Sequence, residues 1–193
     1  MPKTNGSGQA RVLTPDQLDA LIDAAPSPAH RACWAVMRYT GSRISETLQL
    51  RWGAIHPDRI TFCSATTKTR RTREPLMAAG LRQELQQYHH WWEGTHQTKA
   101  KGRQLLFPSP GAESVPMTRQ AVDRALRVAV ERLGLPSGVS LHSFRRSLAT
   151  TMAQRGASLR TVQSFTGHRS LGQLQTYIDV TEQDQREALL LIC

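Results

Sequence analysis

The sequence has no long hydrophobic run. Across its 193 residues the longest unbroken aliphatic stretch is Leu189 to Ile192, far too short to span a bilayer. The N-terminus MPKTNGSGQARV has no apolar core, so no secretory signal is visible. Cysteine is scarce: Cys33, Cys63 and Cys193 are odd in number and scattered, which argues against a disulfide framework and offers no zinc pairing. A reducing, cytoplasmic setting is the expectation. Acidic residues are also few, 15 Asp plus Glu against 25 Lys plus Arg, for a net charge of +10. Such a balance points to a polyanionic partner, nucleic acid ahead of a membrane surface. There is no carboxylate cluster suited to Mg²⁺ and no GxxxxGK[ST] loop, so no metal, cofactor or nucleotide hydrolysis is implied.

What is present is an ordinary folding composition, 39% apolar and 21% charged. Residues 1–13 read as a disordered tail and 14–193 as one domain. Thr14, Pro15 and Gln17 form a capping box with proline at N1, opening a helix whose stripe is Leu18, Leu21 and Ile22. Further helices are predicted over 29–39, 43–52, 79–93, 118–134, 141–155, 158–166, 171–178 and 182–192. The only sheet-like region is 59–77, with strands at 59–63 and 72–77 and a hairpin tip at 64–71. Residues 94–104 are a basic loop, and the prolines of 108–116 mark another. The fold class is therefore mainly α with a small antiparallel β-hairpin (α+β). Cys33 and Cys63 are expected in the core, and Trp91 and Trp92 against or over it.

Four short patterns could carry chemistry. Thr40-Gly41-Ser42-Arg43-Ile44-Ser45-Glu46 places an arginine after a helix break, with a carboxylate one turn on. Alone it fits a helix-start ion pair. Lys68 lies in Lys68-Thr69-Arg70-Arg71-Thr72-Arg73, a charge run that suits phosphates but also suits a solvated turn. His142-Ser143-Phe144-Arg145 sets imidazole and guanidinium on one helix face, where the arginine can grip two phosphate oxygens. Thr166-Gly167-His168 puts a histidine at a turn, with Tyr177 nine residues later. Singly each is weak. Together, two arginines, two histidines and a lysine are the charge complement that a phosphodiester transition state calls for, and a phenol is a competent covalent nucleophile.

In this order and spacing, TGSRISE, ATTKTRR, HSFRRSLAT, TGHRSLG and LQTYIDV resemble the catalytic domain of the tyrosine recombinase (phage integrase) family, from about residue 14 to the C-terminus. The resemblance implies the tyrosine recombinase catalytic-domain fold and site-specific DNA strand exchange. It implies that Arg43 and Arg145 clamp the scissile phosphate, and that His142 and His168 hydrogen-bond its oxygens and assist proton transfer. Lys68 would protonate the leaving 5′-hydroxyl, Tyr177 would form a 3′-phosphotyrosyl link, and Glu46 would orient Arg43. Arg70, Arg71, Arg73, Arg146 and Arg169 are the cations expected to meet DNA, with Arg70 and Arg71 competing with Lys68 for its role. Neither metal nor cofactor is required.

The sequence departs from the family pattern at Ser42, where a larger apolar residue is commoner and looser packing is expected. It also has at most 13 residues before its first helix, so it resembles minimal recombinases that lack a separate core-binding domain. The expected partners are double-stranded DNA and further copies of the chain, as a tetramer on paired sites, with an accessory DNA-bending protein as a helper and no membrane. The apolar C-terminal helix, Leu189 to Ile192, would dock either on a neighbouring protomer or on its own domain. Integration, excision and inversion all fit. The alternatives are a non-catalytic DNA-binding regulator of the same fold and type IB topoisomerase-like cleavage and religation.

Overall fold

The computed structural model describes residues 9–67, 71–175 and Leu190. Its helices begin where capping chemistry places them. Thr14 caps α1 (Pro15–Asp23) with both bonds of the capping box formed. Ser27 caps α2 (Pro28–Thr40), again with proline at the start, and Gly41 ends it at φ 60°. That left-handed glycine turns the chain into α3 (Ile44–Thr47), which is only one turn long, shorter than the 43–52 expected from sequence. A 3-10 turn follows at Trp52–Ala54. Helix α4 (Ala79–His96) runs on to His96 before Gln97 breaks it. Thr118 caps α5 (Arg119–Arg132), Ser140 starts α6 (Leu141–Gln154), Ser158 caps α7 (Leu159–Thr166), and α8 is Gly172–Gln175.

One large core joins α1 to α6. Helix α2 is its axis, with Cys33, Trp34, Ala35, Val36 and Met37 all buried, packed between α4 and α6. Trp34 stacks on Phe144 of α6, and Tyr88 of α4 stacks between Trp52 and Phe107. The Tyr88 hydroxyl donates to the Leu106 carbonyl at 2.8 Å, so its ring is buried without an orphaned polar atom. Each such side chain contributes about 1.5–3 kcal/mol by leaving water. A second, small cluster of Ala149, Val162 and Leu174 joins the end of α6 to α7 and α8. No described helix is long and apolar enough to cross a membrane.

The sheet is not where the sequence places it. The two-stranded antiparallel sheet is β1 (Pro108–Ser109) with β2 (Ala112–Pro116), in the segment read as loop. Pro110 and Gly111, at φ 74°, form its two-residue turn. A two-stranded ribbon tolerates the missing N–H groups of its prolines, because every strand in it is an edge. The expected 59–77 hairpin exists as a broken ladder. Phe62 and Arg73 exchange both backbone bonds, at 2.9 and 3.1 Å, and Arg59 faces Leu76.

Three smaller expectations change. Residues 10–13 are not tail: Ala10 and Leu13 are buried, and the Leu13 amide donates to Ser147 of α6 at 2.8 Å. Cys63 is exposed while Cys33 is buried, because the backbone that turns Phe62 into the core turns the next side chain outward. Ser42 does not loosen its surroundings. It is fully buried, and its hydroxyl bonds that of Thr47 at 2.7 Å. Trp92 is buried and Trp91 lies half-open on Tyr88, as expected. The run Leu189 to Ile192 lies outside the described residues except for Leu190, which is exposed.

Candidate active site

Three turns converge. The first is Gly41 at the end of α2, which delivers Arg43 and, one turn on, Glu46. Glu46 is 1% exposed and receives three bonds. The Arg43 amide and guanidinium donate to it at 3.1 and 2.8 Å, and Arg73 Nη2 donates at 3.2 Å. Burial opposes its charge, but the Arg43 bonds and the Arg73 charge outweigh it and hold the carboxyl below its ordinary range. Arg43 is thus fixed from both its backbone and its side chain.

The second is the start of α6. Leu141, Phe144 and Arg145 face inward and His142 faces out. Arg145 is 1% exposed. Its Nη1 donates to the carbonyls of Gly41 (2.8 Å) and Thr166 (2.5 Å), and its Nε donates to His168 Nε2 at 3.2 Å. One guanidinium therefore binds the Arg43 turn, the end of α7 and the histidine beyond it. The third is Gly167, left-handed at φ 72°, which ends α7 and presents His168. Burial, reinforced by the charges of Arg145, Arg43, His142 and Arg73, pushes His168 from 6.5 down to about 3. It is a neutral imidazole at physiological pH.

Of the residues singled out in the sequence, Arg43, Glu46, Arg145 and His168 come together by these contacts, and His142 is near enough for its charge to act on His168. His168, expected to face the phosphate, turns Nε2 to Arg145 and Nδ1 to Thr166. Lys68, Arg70 and Tyr177 lie outside the described residues.

The four described flanking cations divide. Arg71 and Arg169 are exposed, and with Arg160 they line a groove of about 1030 Å³ between residues 71–76 and α7, with His168 at its wall. Arg73 also lines the groove, but its guanidinium is turned to the interior. Its side chain is 9% exposed, lies over the Phe62 ring, and donates to the carbonyls of Thr40 (3.1 Å) and Phe165 (2.9 Å) as well as to Glu46. Alternation turns it inward with Pro75 and Met77, and makes it a tie between the hairpin and the Gly41 and Gly167 turns. Arg146 is half-buried and donates to the Ala10 carbonyl, anchoring the N-terminal segment. Sequence reading missed Thr166, whose hydroxyl and carbonyl both serve the site. Its only signal was a hydroxyl two residues before the histidine.

Residues 11–184 match the phage integrase family. The chain belongs to that family. Among its integrase-family relatives, the tyrosine recombinase XerC of Anoxybacillus flavithermus is 28% identical over 188 residues, covering 92% of this chain and 60% of the relative. The tyrosine recombinase XerD of Mycobacterium leprae is 30% identical over 206 residues, covering 96% and 62%. Among solved structures, a XerA recombinase superposes with a TM-score of 0.74 at 24% identity, covering 95% of this chain and 66% of that one. A XerH recombinase bound to its difH substrate gives 0.76 at 19%, covering 96% and 55%. These likenesses establish the integrase catalytic-domain fold, mostly helical with a small antiparallel sheet. The chain spans about half to two-thirds of the length of the curated integrases and recombinases it matches.

Proposed function

We propose that this chain is the catalytic part of a site-specific DNA recombinase that breaks and rejoins strands through a 3′-phosphotyrosyl intermediate. The observation that carries this reading is the convergence at Arg145, where one buried guanidinium joins the Arg43 turn to the His168 turn across more than a hundred residues of sequence. A site preorganised around positive charge suits the extra negative charge that develops on a phosphodiester during displacement.

In the proposed reaction Arg43 and Arg145 hold the nonbridging oxygens, and His142, exposed on α6, donates to one of them. Tyr177 Oη attacks the phosphorus and loses its proton to solvent. The bond from phosphorus to the 5′-oxygen breaks, and Lys68 gives that oxygen its proton. The phosphotyrosyl ester conserves the bond, and a 5′-hydroxyl from a partner strand reverses the step. Arg71, Arg160 and Arg169 along the groove are placed to meet flanking phosphates. Paired DNA sites, further copies of the chain and an accessory DNA-bending protein complete the proposed assembly.

The test is covalent trapping. Duplexes with suicide nicks at mobile-element junctions are incubated with the protein in EDTA, and denaturation-resistant adducts are counted. Wild type is expected to form adduct, and Tyr177→Phe to form none while still binding DNA. Adduct formed by Tyr177→Phe would move the nucleophile elsewhere. Binding with no adduct from wild type on any junction would leave a DNA-binding regulator.

A further inference from the structure

We infer that Gln163 and Gln173 are positioning residues whose side chains grip the two poles of the His168–Arg169 peptide group and so fix the turn that presents His168. The inference goes beyond the proposed function, and only its kinetic consequence rests on that reading.

Two hydrogen bonds on a single peptide group lead to it. Gln163 Nε2, on α7, donates to the His168 carbonyl at 3.2 Å. The Arg169 amide donates to Gln173 Oε1, on α8, also at 3.2 Å. That carbonyl and that amide belong to one planar unit. Neither side-chain amide can be reversed, since a carbonyl only accepts and a backbone N–H only donates. Held at its oxygen from α7 and at its nitrogen from α8, the plane cannot swing without breaking one of the two bonds.

Gln163 acts on the turn twice. Its own carbonyl receives the Gly167 amide at 2.7 Å, so its backbone holds the residue before His168 and its side chain the group after it. Gly167, at φ 72°, makes the turn possible but has no side chain with which to hold it. Apolar contact between α7 and α8 is slight, resting on Val162 and Leu174. The gripped peptide joins two side chains with different places: His168 meets Arg145 in the interior, and Arg169 is exposed along the groove. A swing of this one plane would move both.

The two grips differ in chemistry. Gln163 must donate, which a carboxylate at pH 7 cannot do. Gln173 must accept, which a carboxylate does better than an amide. The same replacement is therefore expected to break the first grip and to keep the second. Gln163 is half-buried and Gln173 exposed, so neither position leaves a large cavity when changed.

The experiment is amide hydrogen exchange at Arg169, followed by ¹⁵N-resolved NMR on the full chain without DNA. Gln163→Glu, Gln163→Met and Gln173→Met are expected to exchange about fivefold faster than wild type, the equivalent of one hydrogen bond, and Gln173→Glu no faster. Charge alone cannot produce that contrast, because a carboxylate acts on the amide with the same sign from either position. Amides in 33–37 report global opening and are expected not to change. Cleavage of suicide duplexes at saturating protein is expected to fall about fivefold in both methionine variants and to be retained in Gln173→Glu. Wild-type exchange at Arg169 in both methionine variants overturns the inference, as does equal exchange in Gln163→Glu and Gln173→Glu. Faster exchange with wild-type cleavage in both methionine variants overturns the positioning role. A wild-type protein with the expected exchange pattern in its variants and no adduct of its own would sink the proposed function and leave the grip on the peptide standing.

Discussion

Arg145 and His168 were visible in the sequence as residues, but not as a pair. The HxxR spacing puts His142 and Arg145 near one face of α6, which suggests equal access to a ligand. Burial separates them, because Phe144 and Arg145 turn toward α2 and α7 while His142 turns out. No local pattern reports that distinction, since it depends on which neighbours arrive from residues far away. It has a measurable consequence in acid. His168 binds a proton in the unfolded chain below 6.5 but in the folded chain only below about 3, so between those values the unfolded state holds more protons. Its contribution is fully present above pH 6.5 and is lost as pH falls through that window. His30, lowered by burial, acts with the same sign. Urea titrations at pH 7 and pH 5 are expected to show wild type losing stability on acidification, and His168→Gln losing less of it. Equal losses in the two proteins would mean that His168 is not buried as a neutral ring.

Among the elements, those announced by capping chemistry were legible. Thr14, Thr118 and Ser158 all start helices, and Gly41 and Gly167 end them, whereas the Ser27 cap of α2 was not read from the sequence. The strands were less so. Segment 108–116 has three prolines and reads as loop, yet a lone ribbon asks little of its edges and Gly111 closes it. In the 59–77 hairpin the charge run hid a difference between two arginines that strict alternation would put on one face: Arg73, bridged to Phe62, turns in with Pro75 and Met77, while Arg71 lies beyond that bridge and stays exposed. Replacing Arg73 tests that division. Arg73→Met removes three hydrogen bonds and one of the two charges on Glu46, and is expected to cost about 3 kcal/mol. The salt dependence of DNA binding should hold its slope, since no phosphate contact is lost, whereas Arg71→Met should flatten it by about one counterion. Covalent cleavage by Arg73→Met should drop at matched occupancy, and Arg73→Lys should not restore it, because an ammonium cannot span the fork. A flattened slope in Arg73→Met would return Arg73 to the DNA surface.

At the scale of the molecule, the net charge pointed to a polyanionic partner, and the succession of predicted helices to a mainly helical architecture, which the solved integrase-type folds bear out. Composition could not foresee that the interior divides unequally. The large core holds Trp34, Phe144 and most of the other buried apolar side chains, while Ala149, Val162 and Leu174 form a cluster of their own. Helix α6 contributes its first half to one and its second half to the other, with Arg145 near the changeover. The segment 159–175, which carries His168, rests on the smaller share of apolar contact. Its opening should need less free energy than global unfolding. Hydrogen exchange is expected to be faster at amides in 159–175 than in 33–37. Adduct formation should vanish at a lower urea concentration than the helical circular dichroism signal, and coincident transitions would mean the two clusters melt as one. Residues 159–175 would then act as a fuse: under heat, denaturant or a bad encounter, the chain would give up its proposed ability to cut DNA while it still keeps its shape.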